Sequence, residues 1–218
     1  MKTSKEIMRE ELNKVKIQTF ESFLIESPIR MKGNAQFPED ADGYISSISK
    51  AVLEMDYKIL KHNLIHGLDL YIHNNGKLYV LGDWIYDNFS DKDRFAVKNE
   101  VSISNSPMGY SKQKQFKDKK FVKINTAHTL TEWRGRGLST ELYLYILSMG
   151  YGIISDSMQY QGAVALWKNF PSVPQSTVWV YNASEDIIIS RYTHNTPDTQ
   201  VWSDDNSKGN IRLVFTKD

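Results

Sequence analysis

The sequence predicts a mixed α/β (α+β) fold: a twisted, mostly antiparallel sheet flanked by helices, with a helical addition at the N-terminus. Three observations carry this expectation. The stretch LDLYIHNNGKLYVLGDWI alternates in sidedness on both flanks of Asn75-Gly76, a strong hairpin signal. From Glu132 to Leu147, the stretch EWRGRGLSTELYLYIL puts an Arg-Gly-Arg-Gly turn before an apolar helical run, and the short strand-like pair Ile153-Ile154 follows. The chain then closes with three β-rich runs, STVWVYN, EDIIISRY and NIRLVFT. Antiparallel strands thus lead into a strand–helix–strand–helix unit and close with antiparallel strands.

The elements follow in order. Residues 4–16 read as a short charged helix, and Phe20 to Asp42, with Pro28, Gly33 and Pro38, as irregular chain. Apolar residues at Ile45, Ile48, Val52, Met55, Ile59 and Leu60 have the spacing of an amphipathic helix ending near Gly67. Residues 1–66 are therefore expected to form a helical and irregular addition packed on a core of residues 67–218. Beyond the hairpin, RFAVKNEVSIS and KKFVKINTAHTL read as strands, and Leu138 to Met149 as a helix with Leu142, Tyr145, Ile146 and Met149 on one face. YQGAVALWKNF reads as a further short helix stopped by Pro171.

Composition narrows the class of function. At 218 residues the chain can bury one sizeable core, and 40% hydrophobic with 24% charged residues is ordinary globular content. A net charge of +1 supplies no general pull toward nucleic acid or an anionic membrane. With no cysteine there are no disulfides and no thiolate metal sites. The charged start MKTSKEIMREELNKVK has no apolar h-region, and no run of about 18 apolar residues occurs, so the expectation is a soluble, cytoplasmic protein with no membrane partner.

The glycine turn is the most informative motif. A helix N-terminus carries unpaired N–H groups and partial positive charge, so it suits an anion. Gly135 and Gly137 permit positive φ and close approach, and Arg134 and Arg136 offer charge-assisted contacts. The plainer reading is a tight strand-to-helix turn with solvated arginines. No Lys-Ser/Thr pair follows, so this is not a full phosphate loop.

Arg134-Gly135-Arg136-Gly137-Leu138-Ser139 resembles the Q/R-x-x-G-x-G/A signature of the GNAT superfamily of N-acetyltransferases, with Ser139 where Gly or Ala is usual. It follows a strand over Phe121 to Leu130 and opens a helix, as in that family. A second signature, N-x-x-A-x-x-x-Y, lies over Tyr160 to Trp167: Ala163 matches, while Tyr160 replaces the Asn and Trp167 the Tyr. SDSMQYQGAVALWK is also similar to bacteriophage acetyltransferase-like proteins.

The resemblance covers about residues 68–182 and implies a GNAT-like sheet that binds acetyl-coenzyme A as co-substrate. It implies that Arg134, Gly135, Arg136, Gly137, Leu138 and Ser139 cradle the pyrophosphate, and that Thr129 and Leu130 present backbone groups to the pantetheine arm. The reaction implied is attack of an unidentified amine on the thioester. It needs a base, a donor to the oxyanion and an acid for the thiolate. His128 and Asp156 are the candidate bases, and Tyr160 the candidate acid, because Trp167 carries no proton-transfer acid. A fold retained only for binding or a structural role is the alternative.

Other features carry less. His62 and His66 lie four apart with His73 nearby, but there is no H-E-x-x-H pattern, and no metal site is expected. The run SKQKQFKDKKFVK holds six lysines with Phe116 and Phe121 between them. It reads as a solvated loop entering a strand rather than a nucleic-acid grip. Oligomer contacts by the N-terminal addition stay open.

Overall fold

The computed structural model describes residues 47–87, 92–106, 111–156, 161–202 and 210–218. The helix expected over residues 4–16, the irregular Phe20–Asp42 segment and Tyr160 lie outside them. Fourteen elements follow in order: β1 (Ser47–Ser49), α1 (Lys50–Asp56), β2 (Tyr57–Ile65), β3 (Leu68–His73), β4 (Leu78–Asp87), β5 (Lys92–Asn105), β6 (Lys120–Thr129), α2 (Leu138–Ser148), β7 (Tyr151–Ile154), α3 (Gln161–Asn169), β8 (Ser176–Asn182), β9 (Ile187–Arg191), α4 (Asp198–Val201) and β10 (Ile211–Lys217). The described strands form one sheet in the order β2-β3-β4-β5-β6-β7-β10-β8-β9, with β1 paired to β5. Every pairing is antiparallel except β6 with β7.

The mixed, mostly antiparallel sheet with flanking helices is as expected. The hairpin turns at Asn74–Gly76: Gly76 has φ 71°, its N–H bonds to the His73 carbonyl, and the Asn75 side chain accepts from the Lys77 N–H.

One expectation fails. The helix read through Ile59 and Leu60 toward Gly67 stops at Asp56, and Tyr57–Ile65 is the outermost strand, β2, paired with β3. The apolar spacing fitted a helix, but the run is also rich in residues that suit a pleated edge, and β3 has an open side whose N–H and C=O groups need partners. Tertiary pairing overrides the local periodicity. The strand is irregular, with two register shifts and positive φ at Asn63 and His66.

Both sheet faces are covered. Leu142 and Ile146 of α2, Trp167 of α3 and Phe170 pack with Val101, Val122, Ile124, Ile153, Leu213 and Phe215 in the largest cluster. On the opposite face there are two smaller clusters. α1 lays Val52 and Leu53 on Val80, Phe95 and Val97, and Phe116 joins Phe121, Ile154, Tyr181 and Val214.

The strands at the middle of the sheet set up the site. β6 and β7 pair only from Lys120–Tyr151 to Lys123–Ile154. β6 continues to Thr129, held on its other side by β5. At this departure β6 bulges: Ser102 faces Thr126 and Ile103 faces Ile124, leaving Asn125 as the extra residue. Among the described residues, a gap in the strand pairing therefore runs beside β6 beyond Ile154.

Candidate functional site

The glycine turn stands at one end of this gap. After β6, Thr131–Trp133 makes one 3₁₀ turn, Gly135 and Gly137 take φ 74° and 82°, and Gly137 precedes α2. Residues 134–137 are exposed. The first intrahelical bond runs from the Glu141 N–H to the Gly137 carbonyl, so the amides of Leu138, Ser139 and Thr140 come before it, and no side chain caps them. A Cβ on Gly135 would meet nothing within 4 Å, and one on Gly137 only Ile65 at 3.8 Å. Both glycines are thus required by their backbone angles, and the surface above them is open.

Three contacts brace the turn. Arg134 Nε donates to the Thr129 carbonyl at 3.2 Å, tying the turn back to the end of β6. His66 Nε2 donates to the Arg136 carbonyl at 3.0 Å, from the β2–β3 connection. The Arg136 guanidinium lies over the Trp133 ring at 4.7 Å.

Beneath the turn is a buried polar node that the motif reading missed. Asn99 of β5 is fully buried, and its Nδ2 faces the His128 carbonyl (2.9 Å), Thr129 Oγ1 (2.6 Å) and Ser139 Oγ (3.0 Å). The carbonyl can only accept, which fixes the amide orientation. Asn99 Oδ1 is buried with no hydrogen-bond partner, an acceptor that a ligand or water N–H or O–H donor would satisfy. A buried Asn between Lys98 and Glu100 has no local signature. Only strand register brings it under residues 128, 129 and 139.

The cradle residues expected from the resemblance therefore come together: Thr129, Arg134 to Leu138 and Ser139 surround the N-terminus of α2. Leu130 is committed internally, its N–H to the Lys98 carbonyl and its carbonyl to the Trp133 N–H.

Two of the candidate catalytic residues, His128 and Asp156, lie among the described residues. His128 stands opposite Glu100 on β6, alternating with Ala127, which packs toward the α2 cluster, so His128 belongs to the opposite face. Asp156 lies just past β7, its Oδ1 3.5 Å from Lys123 Nζ. Four residues, Ile124 to Ala127, lie between Lys123 and His128 along β6. Tyr160 lies outside the described residues. Trp167 is 1% exposed among Tyr143, Phe170 and Phe215, so it fills the core. Burial pushes the Tyr143 hydroxyl well above its ordinary range.

Asp156 lines a groove of about 1030 Å³ on the face opposite α2. Most of its lining residues are polar or charged, with Ser104 and Lys123 on one side, Ser155 and Asp156 at the centre, and Arg212, Glu185 and Asp186 on the other, while Ile154 and Ile187 add apolar surface. Burial lowers Arg212 from the ordinary arginine range, while the Asp156 charge raises it. Burial would raise Asp186, but the Ser111 hydroxyl, the Lys112 N–H and the Tyr181 hydroxyl together hold it below the usual carboxylate range.

The remaining histidines have partners. His62 meets Asp69 at 3.3 Å, and His73 accepts from the Asn75 N–H. Among the described residues no group of His, Asp and Glu is placed to hold a metal. Phe116 and Phe121 are buried edge to face, so the lysine run presents no aromatic platform for bases.

No family model, no curated protein and no solved structure matches this chain. Fold and site define a mixed α/β protein with an exposed glycine turn on one side of an opened strand pair and a polar groove on the other. No helix among the described residues is long and apolar enough to cross a membrane.

Proposed function

We propose that the protein binds acetyl-coenzyme A at the glycine turn and transfers the acetyl group to an amine. The observation that carries this reading is the junction of β6, the turn and α2. Uncapped amides, two glycines at positive φ and two arginines meet at the mouth of a gap between parallel strands. The resemblance of residues 134–139 to the GNAT signature supports the same ligand, and so does the strand order around the gap.

In this reading Leu138, Ser139 and Thr140 direct their amides at the pyrophosphate, with Arg134 and Arg136 beside it. The unpartnered Asn99 Oδ1 fits an amide N–H of the arm. The thioester supplies an activated acyl carbon, so that the new nitrogen–carbon bond forms as carbon–sulfur breaks. Asp156, just past the end of β7, takes the first proton from the ammonium, with His128 of β6 as the alternative base; the second proton leaves with the sulfur, and coenzyme A departs as the thiol.

A second reading, binding without transfer, is favoured by Trp167: an indole locked in the core stands where the family carries a phenol.

Thermal unfolding with and without cofactor tests the binding. Acetyl-coenzyme A at millimolar concentration raises Tm, and Gly137→Val, which folds with a stability loss of about 1–2 kcal/mol from left-handed strain, abolishes the shift. An unchanged wild-type Tm would sink the proposal. A Tm rise with no free thiol released across a broad amine panel selects the second reading.

A further inference from the structure

We propose that the groove is the acceptor site and that it takes a small zwitterion, an amine that also carries a carboxylate, such as an amino acid or short peptide. The assignment of the amine as nucleophile rests on the acyl-transfer reading; the binding of a zwitterion does not.

The groove suits a polar small molecule by size and lining, since cavities of about 300–1,000 Å³ are typical of small-ligand sites. Like most such sites it offers apolar surface, from Ile154, Ala183 and Ile187, but hydroxyl, amide and charged side chains make up most of its lining residues. Its charges are balanced: Lys112, Lys123 and Arg212 against Asp156, Glu185 and Asp186. They are not equivalent. Asp186 already receives three donors and serves as rim structure. Asp156 stands at the centre, with Lys123 3.5 Å away and Arg212 near enough for its charge to act on it.

An acid flanked by two cations sorts ligands by charge. A polyamine gains Asp156 but meets Lys123 and Arg212 as like charges. A simple carboxylate gains the two cations but meets Asp156. A molecule with both groups meets the acid and a cation with opposite charges, its ammonium on Asp156 and its carboxylate beside the guanidinium of Arg212, one nitrogen of which also donates to the Ile211 carbonyl. The Lys123–Asp156 pair is long and partly exposed, so it holds the two groups only weakly.

Position links the groove to the chemistry. Lys123 and Ile154 are the last partners before β6 and β7 separate, so Asp156 borders both the groove and the gap.

Titration calorimetry on the full chain tests this, using the common amino acids and simple dipeptides as zwitterions. Their decarboxylated amines, spermidine and short fatty acids are the single-charge controls. The expected result is saturable binding of at least one zwitterion, weakened about tenfold or more by loss of either charged group from the ligand and by Arg212→Gln or Asp156→Asn. Where Arg212→Gln, half-buried in β10, fails to fold, Arg212→Lys is the second variant: it keeps the charge, loses the planar fork and weakens the same ligand. Equal binding of the decarboxylated amine, indifference to these substitutions, or no zwitterion binding up to millimolar concentration overturns the proposal. Acetyl-coenzyme A is titrated separately. Zwitterion binding without cofactor binding leaves the groove assigned and removes the acyl-transfer reading; the reverse result removes the groove assignment alone.

Discussion

Asp186 and Tyr181 show how single residues hold the groove's rim. Tyr181 donates to Asp186, and burial together with that neighbouring carboxylate pushes its hydroxyl up to about 12. Asp186 is held low, so its contribution to stability is present above the unfolded carboxylate value and is lost as pH falls through the depressed folded one. Tyr181 is raised, so its contribution is full below the unfolded value of 10.0 and is lost as pH rises toward about 12. Tm against pH should therefore fall at both extremes. Asp186→Asn should flatten the acid limb and also shrink the alkaline one, because Tyr181 loses its charged neighbour. An acid limb identical to wild type would refute this account. Neither residue stood out in the sequence: Asp186 lay within the β-rich run EDIIISRY, and its partners Ser111 and Lys112 are over seventy residues away. Asn99 was hidden for the same reason, whereas Gly135 and Gly137 were legible because their function is local backbone geometry.

Elements differ in how far their own residues specify them. α2 and the strands on either side of it appear where the sequence put them, because each has a local pattern and a turn that ends it. β2 does not, since its apolar residues fit helix and strand alike and the open side of β3 decides between them. α3 is legible as a helix, but the role of Trp167 is not: a motif comparison asks what replaces the Tyr, while packing against Phe170, Tyr143 and Phe215 answers that it is core. Trp167→Ala should cost about 3–5 kcal/mol in urea unfolding. Trp167→Phe should cost much less and leave the cofactor-induced Tm shift intact. Loss of that shift in a well-folded Trp167→Phe protein would give the indole a direct role at the site.

For the whole molecule, one sheet joins the two ends of the described chain, and the largest cluster runs from Leu68 to Phe215. Two glycines on opposite halves of the sheet probe its cooperativity. A Cβ on Gly82 would lie 2.2 Å from the Ala96 carbonyl oxygen, beside the β4–β5 bulge, and one on Gly152 would lie 2.2 Å from the Phe121 ring. Each Gly→Ala change should cost about 1–3 kcal/mol by overpacking, Gly82 more because backbone cannot move aside as a ring can. Both should lower the same single transition, followed by tryptophan fluorescence and far-ultraviolet circular dichroism. Separate transitions for the two variants would show that the halves unfold independently.

By itself the sequence determined the mixed α/β class, most strand and helix positions, the hairpin at Asn75-Gly76 and the glycine turn that opens α2. These rest on short-range periodicity and on residues whose backbone freedom is intrinsic. Only the tertiary structure decided that Tyr57–Ile65 is a strand, that Asn99 lies beneath the turn, that Trp167 is core, and that a charged groove lies beside Asp156. Those facts depend on which strands pair and in what register, and register joins residues that no local pattern connects.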